Sequence, residues 1–171
     1  GAMVAVFAQE EALMPLARQF ELDLAANNGT RHTVFSGPEA RIAEFCAALS
    51  QHEIDYRRLR VTGAAHSALL EPILDRFQEA CAGLLAEPGQ IPLISTLTAE
   101  VIDEATLNQA DYWRRHMRQP VRFIQSIQAA RKLGARVFVE MGPDAQLIAS
   151  GQREYRDDAY WIASARRNQE A

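Results

Sequence analysis

The stretch Leu22-Asp23-Leu24-Ala25-Ala26-Asn27-Asn28-Gly29-Thr30-Arg31-His32-Thr33-Val34-Phe35-Ser36-Gly37-Pro38 decides the fold. Leu22 to Ala26 has the apolar content of a strand, and Asn27-Asn28-Gly29 is a turn signal. His32 to Ser36 is a second strand-like run, so the segment reads as a β-hairpin closed by Gly37-Pro38. Working outward toward the N-terminus, residues 3 to 8 form a short apolar run suited to a buried strand. They are followed by Gln9-Glu10-Glu11 and by Leu13, Leu16, Ala17 and Phe20 at helical spacing. On the other side, Glu39 to Gln51 sets Ile42, Phe45, Cys46 and Leu49 on one helical face, and Ile54 to Val61 reads as a strand. The order β-α-β-β-α-β over residues 1–62 predicts a ferredoxin-like split unit, two helices covering one face of a four-stranded sheet.

Residues 63–171 have a different rhythm. Gly63-Ala64-Ala65-His66-Ser67 is a small-residue turn, and Leu69, Leu70, Ile73, Leu74, Phe77 and Cys81 mark an amphipathic helix within Ala68 to Leu85. Pro72 would break that helix unless it begins near Glu71. Ile91 to Leu97 and Thr98 to Ile102 read as a short hairpin. Asp111 is placed to cap a helix over Tyr112 to Met117, Pro120 ends it near Gln119, and a second helix follows over Val121 to Leu133. A strand at Arg136 to Glu140, the turn Met141-Gly142-Pro143, a short helix and a strand at Ala159 to Ala163 complete an alternating α/β pattern.

Of the 171 residues, 48% are hydrophobic and 23% charged, as in ordinary globular domains. The net charge of −4, with both signs mixed along the chain, argues against nucleic acid or an anionic membrane surface as partner. No run approaches the ~20 apolar residues of a membrane span, and Cys46 and Cys81 lack metal-ligand or CxxC spacing, so both are expected to be buried reduced thiols of a cytosolic protein. The chain opens with Gly1-Ala2-Met3 already running into Val4-Ala5-Val6-Phe7, a start in mid-strand that leads us to expect a fragment of a longer protein.

No serine lies in the G-x-S-x-G turn that lifts a nucleophilic hydroxyl into the open, and phosphate-cradle and metal signatures are absent. Of the four histidines, His32 falls on a strand edge, His52 at a polar helix end and His116 in a charged helix turn. His66 ends a Gly/Ala run directly after a strand, where backbone can approach a ligand closely and a side chain can enter a cleft. The spacing alone also allows a plainer role, capping the helix that follows.

Several segments, in order along the chain, are similar to the C-terminal portion of acyltransferase domains from modular polyketide synthases. These are Gly1 to Val6, Ala25 to Gly29 with Val34 to Gly37, and Val61-Thr62-Gly63-Ala64-Ala65-His66-Ser67-Ala68-Leu69-Leu70-Glu71-Pro72-Ile73-Leu74. Asp111-Tyr112-Trp113-Arg114-Arg115-His116-Met117-Arg118-Gln119-Pro120-Val121-Arg122-Phe123 matches the family's longest signature. Phe138 to Pro143 and Ala163 to Arg167 supply its last landmarks. The resemblance implies that 1–62 is the small subdomain and 63–171 part of an α/β-hydrolase-like core. It implies that His66 is the base of a Ser-His pair acting by a ping-pong route, and that the backbone carbonyl of Gln119 orients it. Gly63, Ala64, Ala65 and, by the same resemblance, Asn28 are expected at the substrate cleft. Tyr112, Trp113, Val121 and Phe123 are expected to pack, and Arg118 and Arg122 to be solvated or paired.

Acyl-CoA is the implied substrate, with no covalently bound cofactor and no metal. The implied partners are an acyl carrier protein, through its phosphopantetheine thiol, and the ketosynthase and other domains of the same synthase. Malonyl-selecting relatives often carry His-Ala-Phe-His and methylmalonyl-selecting ones Tyr-Ala-Ser-His, where this chain has Gly63-Ala64-Ala65-His66. Ala65 leaves room for a branched extender without requiring one, a preference of only ~1–3 kcal/mol; malonyl-CoA is the expected substrate and methylmalonyl-CoA the alternative. The family's serine, its carboxylate-gripping arginine and its oxyanion-hole glutamine would all lie upstream of Gly1, so the chain by itself is expected not to form an acyl-enzyme. A freestanding malonyl-CoA:ACP transacylase and a non-catalytic ferredoxin-like interaction module are the competing readings.

Overall fold

The computed structural model describes residues 1–143 and 145–165. The landmark Arg166-Arg167 lies outside the described residues. The first elements are β1 (Ala2–Val6), α1 (Glu10–Gln19), β2 (Asp23–Gly29), β3 (His32–Gly37), α2 (Glu39–Gln51) and β4 (Tyr56–Arg58). They build one four-stranded sheet in the order β2-β3-β1-β4. All its neighbours are antiparallel, with Val4 opposite both Phe35 and Arg58. Alternation along β1 sends Val4 and Val6 to one face and Ala5 to the other. On the first face Val4, Val6 and Phe35 meet Leu13 and Ala17 of α1 and Ile42, Phe45 and Leu49 of α2 in one buried cluster. Both helices therefore cover the same side of the sheet. The opposite face carries a smaller cluster of Ala5, Ala25 and Val34.

The hairpin forms, but its turn is not at Asn27-Asn28-Gly29. β2 continues through those residues to Gly29 with two irregularities in register, and the chain reverses at Thr30-Arg31. The cause is a distant partner. The Asn27 amide donates to the Val121 carbonyl (2.8 Å), and the Val121 amide to the Ala25 carbonyl (2.9 Å), a parallel bridge that satisfies the outer edge of β2. The same bridge shortens the helix expected from Val121: Val121 is held extended and the helix begins at Phe123.

The remainder comprises a 3-10 turn at Ala68–Leu70, α3 (Glu71–Cys81), β5 (Leu93–Ile94), β6 (Val101–Ile102), α4 (Glu104–Leu107), α5 (Ala110–Arg118), α6 (Phe123–Lys132), β7 (Val137–Glu140), α7 (Ile148–Glu154) and β8 (Tyr160–Ala163). Pro72 falls in the first turn of α3, where its missing N–H costs nothing. Asp111 is not the cap of α5; Gln109 precedes that helix, without a side-chain cap bond, and Asp111 sits in the first turn. β4 is limited to three residues, less than the Ile54–Val61 run suggested.

β7 and β8 pair in parallel, Phe138 stacking on Trp161 at 4.5 Å. The Glu140 carboxylate closes the next turn by accepting from the amides of Gln146, Leu147 and Ile148. α7 then docks on the hairpin tip, Glu154 accepting from the Thr30 amide and hydroxyl (both 2.8 Å). Cys46 and Cys81 are free and buried, as expected, and burial raises the Cys46 pKa. Among the described residues no helix is long and apolar enough to cross a membrane, and no cluster of side chains could hold a metal ion.

Candidate active site

After β4 the chain leaves the sheet at Leu59, whose amide donates to the Met3 carbonyl (2.9 Å). It then runs through Gly63-Ala64-Ala65 to His66, which adopts φ +59°. A side chain other than glycine in that left-handed region costs on the order of 1 kcal/mol and persists only where neighbours impose it. Ser67 imposes part of it. Fully buried, its hydroxyl donates to the Ala64 carbonyl (2.7 Å) and accepts from the Leu69 amide (3.3 Å). Ser67, not His66, thus caps the turn leading into α3, which leaves the imidazole free of that duty.

The imidazole enters a cleft of about 520 Å³ lined by Gly63, Ala64, Ala65 and His66 on one side and by Leu70, Ile73, Phe77, Trp113, His116 and Met117 on the other. A Cβ added at Gly63 would meet open space, so no close backbone approach explains that glycine in this conformation. Asn28 stands apart, half-buried in β2 and not among the residues lining the cleft. Gln119 terminates α5 in an extended conformation (φ −86°, ψ 161°), and its backbone acts on the His66 ring as a hydrogen-bond partner that raises the pKa. Nδ1 of His66 is nonetheless buried without a hydrogen bond of ordinary geometry. Such bonds are often open in unliganded sites and tighten around substrate.

His116 is the residue the sequence reading missed. It lines the same cleft, its Nε2 lies 3.3 Å from the Thr96 hydroxyl, and its ring sits beside Tyr112 and Trp113 (centroids 5.8 and 6.1 Å). Helical spacing from Tyr112 and Trp113 was the available signal, hidden among Arg114, Arg115 and Arg118. The two aromatics pack as expected: Tyr112 is buried with its hydroxyl 2.9 Å from Ser95 Oγ, and the Trp113 indole donates to the Leu107 carbonyl (2.7 Å). Arg118 is an ion-pair partner, of Asp23 and Glu71.

Burial is the largest influence on three histidines and lowers each. For His66 the Gln119 contact opposes it and the charge of His116 adds to it; for His32, Arg153 and Arg57 add to it; for His116 burial acts alone. A histidine whose folded pKa lies below its unfolded value of about 6.5 binds fewer protons when folded. Stability is then fully present above that unfolded value and is lost as the pH falls through the lowered folded values. We expect the urea midpoint to be flat above about pH 6.5 and to drop as the pH falls below it; a midpoint that rises on acidification would contradict these burials.

The sequence profile of the acyl transferase domain matches residues 1–171, the whole chain. This chain belongs to the acyl transferase domain family. The mycoketide-CoA synthase of Mycobacterium tuberculosis is 39% identical to it over 170 residues, 98% of this chain but 4% of the synthase. The spectinabilin polyketide synthase system protein NorB of Streptomyces orinoci is 38% identical over 154 residues, 89% of this chain and 7% of that protein. Among solved structures, the acyltransferase domain from the second module of the salinomycin polyketide synthase superposes with a TM-score of 0.90 at 34% identity. That match takes in 98% of this chain and 40% of the solved one. FabD from Acinetobacter baumannii superposes at 0.87 with 20% identity, a likeness of fold alone. The relatives of this acyl transferase chain are type I modular polyketide synthases, and the chain spans a small part of their length.

Proposed function

We propose that this chain is the His-bearing part of a polyketide-synthase acyl transferase domain that moves a malonyl-type unit from coenzyme A to the phosphopantetheine thiol of an acyl carrier protein. His66, held at φ +59° in a cleft with the Gln119 backbone acting on its ring, is the observation that carries this reading. A serine from the portion of the domain outside these residues attacks the thioester carbonyl, and His66 takes the hydroxyl proton. The tetrahedral centre collapses to an acyl-serine, and the departing thiolate of coenzyme A receives the proton back. The carrier thiol then attacks the acyl-serine with the proton steps repeated in the same sense. A neutral imidazole is the form that accepts the first proton, and burial keeps His66 in that form.

Gln119 fixes the ring through its backbone, and Gly63, Ala64 and Ala65 form the wall nearest the acyl group. Ala65 admits malonyl or methylmalonyl. We read residues 1–62, with their β2-β3-β1-β4 order, as a ferredoxin-like small subdomain and 63–171 as part of the α/β-hydrolase-like core, working in the cytoplasm beside the ketosynthase and carrier domains. The bare flanks of β7 and β8 support a missing remainder: Val137, Val139 and Ile162 are half-exposed, whereas parallel strands are ordinarily covered on both faces.

The test uses the chain with no added partner. After exposure to malonyl-CoA its intact mass should be unchanged, because the nucleophile is elsewhere. A stable malonyl adduct on one of its own serines would overturn the assignment.

A further inference from the structure

The two sides of the proposed His66–Gln119 pair come from separate elements, the loop before α3 and the end of α5, and a single carboxylate joins them. Asp23, at the start of β2, uses both oxygens. Oδ2 accepts from the backbone amide of Ala68 (2.8 Å), two residues past His66, and Oδ1 accepts from the Arg118 guanidinium (3.0 Å), which immediately precedes Gln119. Arg118 Nε donates in addition to Glu71 of α3 (2.7 Å), so two nitrogens of the guanidinium are engaged by two carboxylates. Asp23 and Arg118 are each more than two-thirds sheltered from solvent. Further along the same strand, the Ala25 carbonyl and the Asn27 amide hold the amide and the carbonyl of Val121. β2 is therefore a rail to which both halves of the site are fastened, and without Asp23 the loop carrying His66 loses its one side-chain anchor on that rail among the described residues.

We infer that Asp23 is a positioning residue for acyl transfer: by tying Ala68 to Arg118 it holds the His66 imidazole in register with the Gln119 backbone. The inference rests on His66 being the base. Asp23 is not among the residues that line the cleft, so its removal is expected to act on alignment and not on substrate binding. A strained residue such as His66 keeps its backbone conformation only while its surroundings dictate it. A displacement of about 1 Å in a catalytic group far exceeds what efficient proton transfer tolerates.

The experiment measures the rate of acyl-enzyme formation on the complete domain, as a function of malonyl-CoA, for Asp23→Ala, Arg118→Ala, the double variant, the near-isosteric Asp23→Asn and His66→Ala. The maximal rate should fall roughly 10- to 100-fold in Asp23→Ala and Arg118→Ala, with the half-saturating concentration unchanged. The double variant should be no slower than the slower single, because the two act as one unit. Nitrogen-15 spectra of the His66 imidazole should show one fixed neutral tautomer in the wild type and an averaged pair in Asp23→Asn, a change that loss of stability alone does not produce. Wild-type maximal rates in the Asp23 and Arg118 variants beside a dead His66→Ala would overturn the positioning role and leave the base assignment standing. An unimpaired His66→Ala would remove both.

Discussion

Replacing His66 with alanine in the complete domain is expected to slow acyl-enzyme formation by roughly 100- to 10,000-fold, the range spanned by a general base. The loss should appear in the maximal rate, since the substituted side chain exchanges a proton and does not clamp the coenzyme. Folding should scarcely notice. The substitution removes a buried nitrogen that has no hydrogen-bond partner of ordinary geometry, which favours the folded state. Against that, alanine tolerates φ +59° less readily than histidine does, so the two effects offset to within about 1 kcal/mol. Stopped-flow release of coenzyme A read beside a urea titration separates the two quantities. A rate within about threefold of wild type would mean that another group takes the serine proton.

The second large effect is structural. Phe45 is fully buried where α2 crosses the sheet, edge-on to Phe35 (5.3 Å) and Phe20 (5.9 Å), in the cluster that unites both helices with β1 and β3. Phe45→Ala removes that ring from a closely packed site that cannot collapse around the gap, and should cost about 3–5 kcal/mol. Against a typical total stability of about 5–15 kcal/mol, that is enough to unfold a sizeable fraction of the molecules at mild denaturant. Leu85→Ala is the control: Leu85 is 87% exposed and its truncation should change stability by less than about 0.5 kcal/mol. Equal urea midpoints for the two variants would place the core elsewhere.

The element order and the loop that carries His66 were legible because they depend on local patterns. The apolar run of residues 3 to 8, the helical spacing of Ile42, Phe45 and Leu49, and a proline that fits only the first turn of α3 each have one economical reading. The segment 27–29 misled for the opposite reason. Asparagine and glycine favour turns on their own, and the bond that keeps Asn27 in the strand comes from Val121, ninety-four residues away, a pairing no local pattern records. The same distant bond moved the start of α6. His116 was hidden because charge dominates its neighbourhood in sequence, while in space Tyr112 and Trp113 turn it toward the cleft. Asn28 is not among the residues that line the cleft His66 enters, so the Asn-Gly pair carries the likeness in sequence without a contact there. Asp23 gave no sign at all, since its importance lies in linking residues 68 and 118.

Intact-mass measurement of the complete domain after brief exposure to malonyl-CoA and methylmalonyl-CoA decides whether this chain supplies the base to a serine carried by the rest of its domain. A single acyl adduct is expected from at least one of the two thioesters, mapped to a serine outside these 171 residues and lost or greatly slowed in His66→Ala. An adduct within these residues, or one that forms at the same rate without His66, would contradict it.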